Sequence, residues 1–396
     1  MLHSQPMRPR VLVVTRNLPP AHGGMERLLE ALINVLAQFC ELAVVGPRDA
    51  AGLPVLNDLD MTGCPMQPAT RFLLACQLAA WKVARRLRPQ VIIAGSGLVA
   101  PAVRWAAQCS GARAVTYLHG LDIGNRHPLY GLGFVPCIRS CAQVWTNSRF
   151  TGDLAQARGI SRDRLRTLYP VACHSTAQDM EGAADFRQRW AGHRVLLSAG
   201  RLVPRKGLPS FVEHVFPLVL RQHPQAILAI AGDEAHGGIK RQDGEGHRIR
   251  QAAARAGVLD RLDWLGWLAP DAIQAAYAAA DVLVFPVQHH PTDPEGFGMV
   301  AIEAAGCGLP TVAYATGGVC EAVEHGLSGC LVPPGDVAGF ARSVTALLDA
   351  PSRAMASGCR GFAEQFSKEC FAMRVHGLLM ELLQTNAHAL PSPWSP

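Results

Sequence analysis

Short apolar, β-branched runs alternate with longer amphipathic stretches along almost the whole chain. In the first half, these runs predict strands at Val11–Thr15, Leu42–Val45, Val91–Ala94, Ala114–Leu118 and Val144–Thr146. In the second half, they predict strands at Val195–Ala199, Ala226–Ala231, Leu262–Leu265, Val282–Phe285, Thr311–Ala315 and Gly329–Val332. Helical patterns lie between the strands, as at Met25–Phe39, Arg71–Leu87, 208–221, 246–256, 269–280 and 298–306. Such alternation builds parallel sheets covered by helices on both faces, so the two series predict two doubly wound α/β domains.

The length of 396 residues also favours two domains over a single core. We expect the domains at residues 1–178 and 185–365, with the polar stretch His174–Gly182 as the linker. The segment 366–396 contains a last helix at 367–384 and a Pro-rich tail, which we expect to be loose.

Composition limits the partners and the compartment. Lys and Arg (37) exceed Asp and Glu (31) by six, a mild excess that fits anionic small molecules or an anionic membrane surface and is too small to indicate nucleic acid. The 12 cysteines show no metal-binding spacing, which favours reduced thiols in the cytoplasm. The first apolar run is too short for a signal peptide, and no run approaches the roughly 20 residues that span a bilayer. We therefore expect a cytoplasmic protein, at most peripheral to a membrane.

Ligands of open parallel sheets bind beyond the carboxyl ends of the strands, so the loops after strands are the places to search. Gly23 and Gly24 precede the first helix, where free amides attract an anion, although a plain strand-to-helix turn explains them equally well. His119, in "YLHGLDIG" with Asp122 nearby, could polarise a substrate hydroxyl or simply make one hydrogen bond as a loop residue.

The loop "SAGRLVPRKGL" carries Arg201 and Lys206 beside the start of a helix. Two cations at such a place form a compact site for a diphosphate. The alternative is a solvated basic turn. No acidic residue lies between Leu196 and Phe211, which argues against a surface ion-pair patch.

The stretch "PEGFGMVAIEAAGCGLP" places Glu295 and Glu303 on either side of a glycine-bracketed turn. The carboxylates are suited to accept hydrogen bonds from sugar hydroxyls, because acids bind ribose diols in this way in dinucleotide sites. The backbone amides at the helix start form a further anion site, and they belong to Gly296, Phe297, Gly298 and Met299. The pair Gly317-Gly318 is expected to face the same crevice.

One glycine motif could indicate a binding site for a nicotinamide cofactor. Gly95-x-Gly97-x-x-Ala100 matches the dinucleotide fingerprint. It follows the third predicted strand instead of the first, and the acid expected about 20 residues further on is missing. The motif therefore does not predict a nicotinamide site.

These residues together resemble glycosyltransferase family 4, whose members have the GT-B architecture of two Rossmann-like domains with a cleft between them. The resemblance covers most of the chain. It rests on the E-x7-E pair Glu295 and Glu303, on "GRLVPRKG", on "GGMER" and on the pair His119-Gly120. It implies that the first domain binds the acceptor, that the second binds a nucleotide-sugar, and that the last helix crosses back to the first domain.

The resemblance also implies roles for single residues. Arg201 and Lys206 would hold the diphosphate, Glu303 the ribose, and Glu295 with the amides of Gly296–Met299 the sugar. His119 would lie near the reacting face, and Gly232 and Leu268 near the nucleobase. The donor site would include Gly23 and Gly24, the catalytic set would be His119, Glu295, Arg201 and Lys206, and no metal or other cofactor would be needed.

The loop "FPVQHHPTDPEGFG" and "LHGLDIG" look like those of phosphatidylinositol mannosyltransferases. This similarity favours GDP-mannose over a UDP-sugar as donor. It implies retention of the anomeric configuration and a glycan or lipid-linked acceptor in cell-surface polysaccharide or glycolipid synthesis of the bacterial type. The segment "DEAHGGIKRQDGEGH" is longer than the usual turn, which puts the base contacts in doubt.

Other functions stay open at this point. The chain could be another GT-B enzyme, such as a sugar-nucleotide epimerase or a phosphorylase, or a non-catalytic protein that binds sugar nucleotides. The helix at residues 71–88, which carries Lys82, Arg85 and Arg86 beside leucines, could contact a membrane surface or be an ordinary amphipathic core helix.

Overall fold

The computed structural model describes residues 8–20, 23–172, 177–234, 244–290, 292–351 and 354–384. The side chains of Ala51 and of residues 177–181 lie outside this description. The chain separates into two compact units. One consists of the residues up to Pro170 together with those from Glu369 onward, and the other is Val171–Lys368.

The first unit is built on a seven-stranded parallel sheet. Its strands are β1 Arg10–Val14, β2 Glu41–Pro47, β3 Asp60–Cys64, β4 Val91–Ala94, β5 Arg113–Leu118, β6 Gln143–Thr146 and β7 Leu165–Thr167. The spatial order is β3-β2-β1-β4-β5-β6-β7. The chain therefore changes direction between β1 and β4, and the carboxyl ends of these two strands mark the topological switch point, where open sheets bind ligands.

Helices cover this sheet and include the last described helix of the chain. They are Gly24–Phe39, Ala69–Leu87, Ala100–Ser110, Leu121–Gly124, Pro128–Gly133, Val135–Arg139, Arg149–Ala157 and Lys368–Gln384. Arg166 pairs with Glu381, and the His376 ring lies 5.1 Å from that of Phe39. The final helix thus packs on the first unit.

The second unit is built on a six-stranded parallel sheet. Its strands are β8 Arg194–Ala199, β9 Ala226–Ala231, β10 Leu262–Gly266, β11 Val282–Phe285, β12 Thr311–Tyr314 and β13 Gly329–Val332. The spatial order is β10-β9-β8-β11-β12-β13, so the switch point lies between β8 and β11.

The helices of the second unit lie between these strands and after them. They are Ala177–Arg189, the continuous stretch of Leu208–Ser210, Phe211–Val215 and Phe216–Gln222, and then Glu245–Ala256, Pro270–Ala279, Met299–Gly306, Val319–Ala322, Val337–Asp349 and Ala356–Ala363. Within the described ranges of both units, no helix has the length and apolar character needed to cross a membrane.

The predicted fold class is confirmed, and each predicted strand is present with ends that differ by at most two residues. Two strands were missed, β3 and β7, which form the two edges of the first sheet. The linker prediction is wrong for its second half, because Ala177–Gly182 begins a helix that packs on Pro270–Ala279. Residues 174–176 of the linker and the tail 390–396 lie outside the described residues.

Candidate active site

Two loops meet at the switch point of the second sheet, one after β8 and one after β11. The first makes a tight turn that ends at Gly207, whose φ of 70° is left-handed. A Cβ at Gly207 would lie 2.2 Å from the Pro286 carbonyl oxygen, and the Gln288 amide donates to the Arg205 carbonyl over 2.8 Å. Only glycine allows this approach, and the approach brings the basic turn against the loop that leads to Glu295.

A compact ionic cluster forms where these loops meet. Lys206 Nζ lies 3.0 Å from Glu295 Oε2, and Arg205 Nε lies 3.1 Å from the same oxygen. Arg205 Nη1 also reaches Asp293 Oδ2 at 3.1 Å. All four side chains are at least 84% buried, since the most exposed, Lys206, keeps 16% of its surface. Two cations and two anions therefore balance each other in a nearly dry site.

Burial and charge act in opposite directions on this cluster. Burial alone would raise the pKa of Glu295, but the charges of Lys206 and Arg205 outweigh it and hold that pKa at about 2. Burial lowers the pKa of Lys206, and the attraction of Glu295 offsets part of that effect. The pKa of Arg205 is raised despite burial, because Glu295 and Asp293 favour its charged form. Glu295 is thus an anion across the physiological pH range.

The cluster excludes the alternative of a solvated basic turn for Lys206. Its ion-pair partner is an acid from a loop about 90 residues away in sequence, in a buried cluster and not in a surface patch. Arg201, in contrast, is exposed. Arg205 and Asp293 were missed as site residues. The only sequence signal for them was position, because each lies within two residues of a predicted site residue on a loop that follows a strand at the switch point; their ion-pair partners gave no such signal.

The glycine-rich turn before Met299–Gly306 is fixed by its neighbours. Gly298 has a φ of 108°, and a Cβ there would lie 3.0 Å from the Phe285 ring. The Gly318 amide donates to the Glu295 carbonyl over 3.1 Å, and a Cβ at Gly318 would lie 2.0 Å from the Gly296 carbonyl oxygen. The Gly317-Gly318 turn therefore lies against Glu295 and Gly296, as expected from the sequence.

Phe297 and Met299 flank this turn in different ways. The Phe297 side chain is buried, with its ring 5.5 Å from that of Phe366, so only its backbone is suited to a ligand role. Met299 is the first residue of its helix. Glu303 lies on the second turn of the same helix and is 1% exposed, with the Tyr277 hydroxyl donating to its Oε2 over 3.4 Å.

The residues predicted to lie near the nucleobase adjoin the Arg201 loop. A Cβ at Gly232 would lie 1.9 Å from the Gly200 carbonyl oxygen, and the Gly232 amide donates to the Gly266 carbonyl over 2.7 Å. Leu268 follows two residues after Gly266 and is partly buried. Gly232, Leu268 and Arg201 therefore lie at the same edge of the second sheet. Their roles toward a ligand stay predictions.

His119 follows β5 in the first unit and is 7% exposed. Its Nε2 lies 2.8 Å from the Gly95 carbonyl oxygen. A carbonyl only accepts, so Nε2 carries the hydrogen and a neutral ring presents a lone pair at Nδ1. The His119 backbone amide donates a hydrogen bond to Asp122 Oδ1 over 2.9 Å, and the Gly97 backbone amide donates one to Asp122 Oδ2 over 3.0 Å. Both carboxylate oxygens thus hold the loop, which argues against Asp122 as a free general base.

The Gly95-x-Gly97 motif has a packing explanation. A Cβ at Gly95 would lie 2.6 Å from Thr15 Oγ1, and one at Gly97 would lie 2.4 Å from Tyr130 Oη. Both glycines are required by close contacts inside the first unit. These contacts give the two glycines a structural role, and the absence of a dinucleotide site stays a prediction.

Gly23 and Gly24 stand at the start of helix Gly24–Phe39, also in the first unit. A Cβ at Gly23 would lie 2.3 Å from Glu26 Oε2, and Glu26 Oε1 accepts a hydrogen bond from Asn17 Nδ2 over 2.9 Å. Glu26 thereby ties Asn17 to the first turn of the helix. The donor-binding role of the two glycines stays a prediction.

Comparison with known proteins covers both units. The family model described as Glycosyltransferase Family 4 matches residues 22–171, and the model described as Glycosyl transferases group 1 matches residues 184–362. A protein of Mycolicibacterium smegmatis named GDP-mannose-dependent alpha-(1-6)-phosphatidylinositol monomannoside mannosyltransferase is 30% identical over 370 residues, which cover 89% of this chain and 92% of the relative.

Two further similarities are less extensive or concern the fold alone. The D-inositol 3-phosphate glycosyltransferase of Thermobispora bispora is 32% identical over 211 residues, covering 51% of this chain and 46% of that protein. The crystal structure of Anabaena HepE in complex with UDP superposes with a TM-score of 0.75 at 22% identity, covering 94% of this chain and 100% of that one.

Proposed function

This chain belongs to glycosyltransferase family 4 and is a glycosyltransferase of the GT-B type, and from that premise we propose that it transfers mannose from GDP-mannose with retention of configuration. UDP-sugars are the second choice of donor. The relative from Mycolicibacterium smegmatis, which matches 89% of the chain, is named for GDP-mannose dependence, and this similarity supports the choice.

The observation that carries the proposal is the buried cluster of Lys206, Arg205, Glu295 and Asp293 at the switch point of the second sheet. A diphosphate that enters there offers Lys206 an anion in place of Glu295, and the exposed Arg201 adds a bidentate donor. As the bond to the sugar breaks, negative charge grows on the leaving diphosphate. These cations stabilise that charge in a site with little water, which is usually the largest electrostatic contribution to catalysis.

The remaining donor contacts follow from the same placement. Glu295, once released from Lys206, accepts hydrogen bonds from sugar hydroxyls, and the amides of Gly296–Met299 donate hydrogen bonds to oxygens of the sugar. Glu303 takes the ribose hydroxyls. His119 acts near the reacting carbon, where the Nδ1 lone pair accepts a hydrogen bond from a hydroxyl of the sugar.

The acceptor we propose is a glycan or a lipid-linked compound of a bacterial cell surface. Helix Ala69–Leu87 supports a lipid surface. Its buried residues face the core, and Leu74 and Leu78 are 67% and 54% exposed. They lie in a single exposed stripe, which consists of Arg71, Leu74, Leu78, Lys82 and Arg85. A stripe of leucines flanked by cations is suited to the cytoplasmic face of an anionic membrane, and a Leu74→Ser/Leu78→Ser variant should sediment less with anionic vesicles than the wild type.

We expect transfer to proceed without a divalent metal, because Arg201 and Lys206 supply the positive charge that a metal would bring to a diphosphate. A chelator such as EDTA should then leave the initial rate unchanged. A rate that is lost with EDTA and restored by Mg²⁺ or Mn²⁺ would contradict this part of the proposal.

The donor proposal is tested by thermal shift with GDP-mannose, UDP-glucose, ADP-glucose and dTDP-glucose. A ligand present at 100 times its Kd stabilises the protein by about 2.7 kcal/mol, which is easily measured. GDP-mannose should give the largest shift in the wild type and little shift in Lys206→Met. A larger shift with another nucleotide-sugar reassigns the donor, and no shift with any of them refutes the site.

A further inference from the structure

The switch point of the first sheet holds polar groups that the proposed donor chemistry does not use. Arg16 follows β1 and Ser96 follows β4, and these strands are neighbours in the sheet. Arg16 Nε and Ser96 Oγ are buried and have no hydrogen-bond partner in the described part of the chain, and the same is true of Tyr130 Oη. Because more than nine in ten buried polar groups in proteins are paired, several unpaired ones at a ligand-binding edge point to a ligand.

Arg16 is the charged member of this group. Its guanidinium is half-buried, with Cζ 6.0 Å from the centre of the Phe72 ring. The negative charge of Glu26 acts on Arg16 from a distance and favours its charged form. The Oε1 atom of Glu26 accepts its hydrogen bond from Asn17, not from Arg16. Among the described residues, Arg16 thus has no bonded anion for a positive charge held in a poorly solvated place, an arrangement that costs free energy unless another anion binds there.

The loops that carry these groups are in direct contact. Thr15, next to Arg16, lies so close to Gly95 that a Cβ there would be 2.6 Å from Thr15 Oγ1, and Ser96 follows Gly95. On the other side, a Cβ at Gly97 would be 2.4 Å from Tyr130 Oη. Arg16 and Ser96 therefore stand on adjoining loops, and the Tyr130 hydroxyl lies beside the second of these loops at the same edge of the first sheet.

We infer that this edge binds a phosphate group of the acceptor, with Arg16 as its main charged contact and the Ser96 and Tyr130 hydroxyls as further donors. The inference rests on the proposed function, because it assigns the acceptor to the first unit. A phosphate fits better than a carboxylate, since one guanidinium fork engages both oxygens of a carboxylate, whereas a phosphate offers further oxygens in other directions. A tetrahedral phosphate has oxygens left for hydroxyl donors. The phosphate belongs either to a lipid headgroup or to a soluble phosphorylated compound.

The first test needs no ligand. Arg16→Gln removes a half-buried charge that has no bonded anion among the described residues, so its thermal midpoint should equal or exceed that of the wild type. Arg10→Gln is the matched control, because Arg10 lies at the opposite end of β1 and its Nε donates to the Arg88 carbonyl over 3.0 Å. A large loss of stability in Arg16→Gln, beyond that of Arg10→Gln, would show that Arg16 is a structural residue and would overturn the inference.

The second test measures binding to the full chain. The probes are inorganic phosphate, myo-inositol 1-phosphate, neutral myo-inositol, and phosphatidylcholine vesicles with or without phosphatidylinositol. Arg16→Gln should weaken the binding of a phosphate probe by about tenfold to a hundredfold, the effect of losing one charge-assisted contact. Arg16→Lys should retain part of the affinity, and Arg10→Gln all of it. Dependence on Arg16 with the soluble probe identifies a soluble acceptor, and dependence with the vesicles alone identifies a lipid headgroup.

The inference fails if no phosphate probe binds in an Arg16-dependent way, or if neutral myo-inositol loses as much affinity as the phosphate. Titration with GDP-mannose separates this failure from that of the proposed function. If GDP-mannose binds normally to Arg16→Gln and the phosphate probes show no dependence on Arg16, only the acceptor subsite is refuted. If the phosphate probes depend on Arg16 and no nucleotide-sugar binds, the subsite stands and the proposed donor chemistry is refuted.

Discussion

Lys206 and Glu295 form an ion pair of 3.0 Å that joins the loop after β8 to the loop after β11. Arg205 approaches the same carboxylate oxygen at 3.1 Å. The positive charge proposed to bind the donor is therefore already neutralised by the carboxylate proposed to bind its sugar. A diphosphate has to replace Glu295 at Lys206, and the same exchange releases Glu295 for sugar hydroxyls.

Removal of either cation should weaken donor binding. Lys206→Met and Arg201→Ala are each expected to lower the affinity for GDP-mannose by about tenfold to a hundredfold, because each removes a charge-assisted bond to the diphosphate. Calorimetric titration measures the change. Arg194→Gln is the control, since Arg194 begins β8 at the opposite edge and pairs with Asp281. Affinities unchanged in both site variants would refute the diphosphate assignment.

Glu295 should make stability depend on pH in the acid range. Its pKa is about 2 in the folded protein against an ordinary value of 4.5. Because this pKa is lowered, the stabilisation of the folded protein by ionised Glu295 is fully present above about pH 4.5 and is lost as the pH falls toward 2. Glu295→Gln should therefore cost about 3 kcal/mol at neutral pH, and the difference from the wild type should shrink on acidification.

Denaturant unfolding at a series of pH values measures this difference. Glu324→Gln, at an exposed position of the same unit, is the control and should follow the wild type throughout. A stability difference between Glu295→Gln and the wild type that stays constant from neutral pH to pH 3 would mean that the charge of Glu295 does not stabilise the fold.

Glu303→Gln should raise the KM for GDP-mannose while leaving the fold intact, because the amide is a weaker acceptor for ribose hydroxyls. Glu303 is almost fully buried beside the Tyr277 hydroxyl, so a structural role is the competing explanation. Tyr277→Phe separates the two, since it removes the hydrogen bond from Tyr277 and leaves the carboxylate. Steady-state kinetics and melting curves of both variants provide the data. A Glu303→Gln protein that melts much earlier and binds donor normally would favour the structural role.

The sequence was sufficient for the second sheet, for all of the first sheet except its two edge strands, and for the loops that hold the site. Strand-helix alternation predicted both domains, and the glycines flanking Lys206 and Glu295 marked loops that the structure brings together. The ion pairs of Arg205 and Asp293 were not predictable, because they depend on β8 and β11 being neighbours. A search of nearby residues along the chain does not reveal partners about 90 positions apart.

The edge strand β3 and the loop around Asp122 show two further limits. The β3 sequence "DMTGC" has one β-branched residue and pairs with a single neighbour, β2, so periodicity gave no signal. Asp122 is an acid three residues after His119, a position that suits a general base. Its carboxylate instead accepts hydrogen bonds from two backbone amides, an arrangement that depends on Gly97 lying beside it.

His119 should act mainly in the transition state. His119→Gln retains a donor at the position of Nε2, and so keeps the bond to the Gly95 carbonyl, but it lacks an acceptor at the position of Nδ1. We expect kcat to fall in His119→Gln as far as in His119→Ala, with GDP-mannose affinity nearly unchanged and with less loss of stability. Equal losses in kcat and in donor binding would count against this role. Near-normal turnover in His119→Gln would assign the effect of His119 to loop structure.

The stereochemistry of transfer tests the central claim most directly. Inversion needs a general base beside the acceptor hydroxyl. The two conspicuous acids have other partners, because Glu295 is ion-paired in the cluster and Asp122 accepts hydrogen bonds from two backbone amides. We expect same-face attack, in which the leaving diphosphate, stabilised by Lys206 and Arg201, takes the acceptor proton. NMR of the first product formed from GDP-mannose, read through the one-bond carbon–proton coupling at the anomeric centre, should show an α-linkage. A β-linked product would contradict this account and return Asp122 to the role of base.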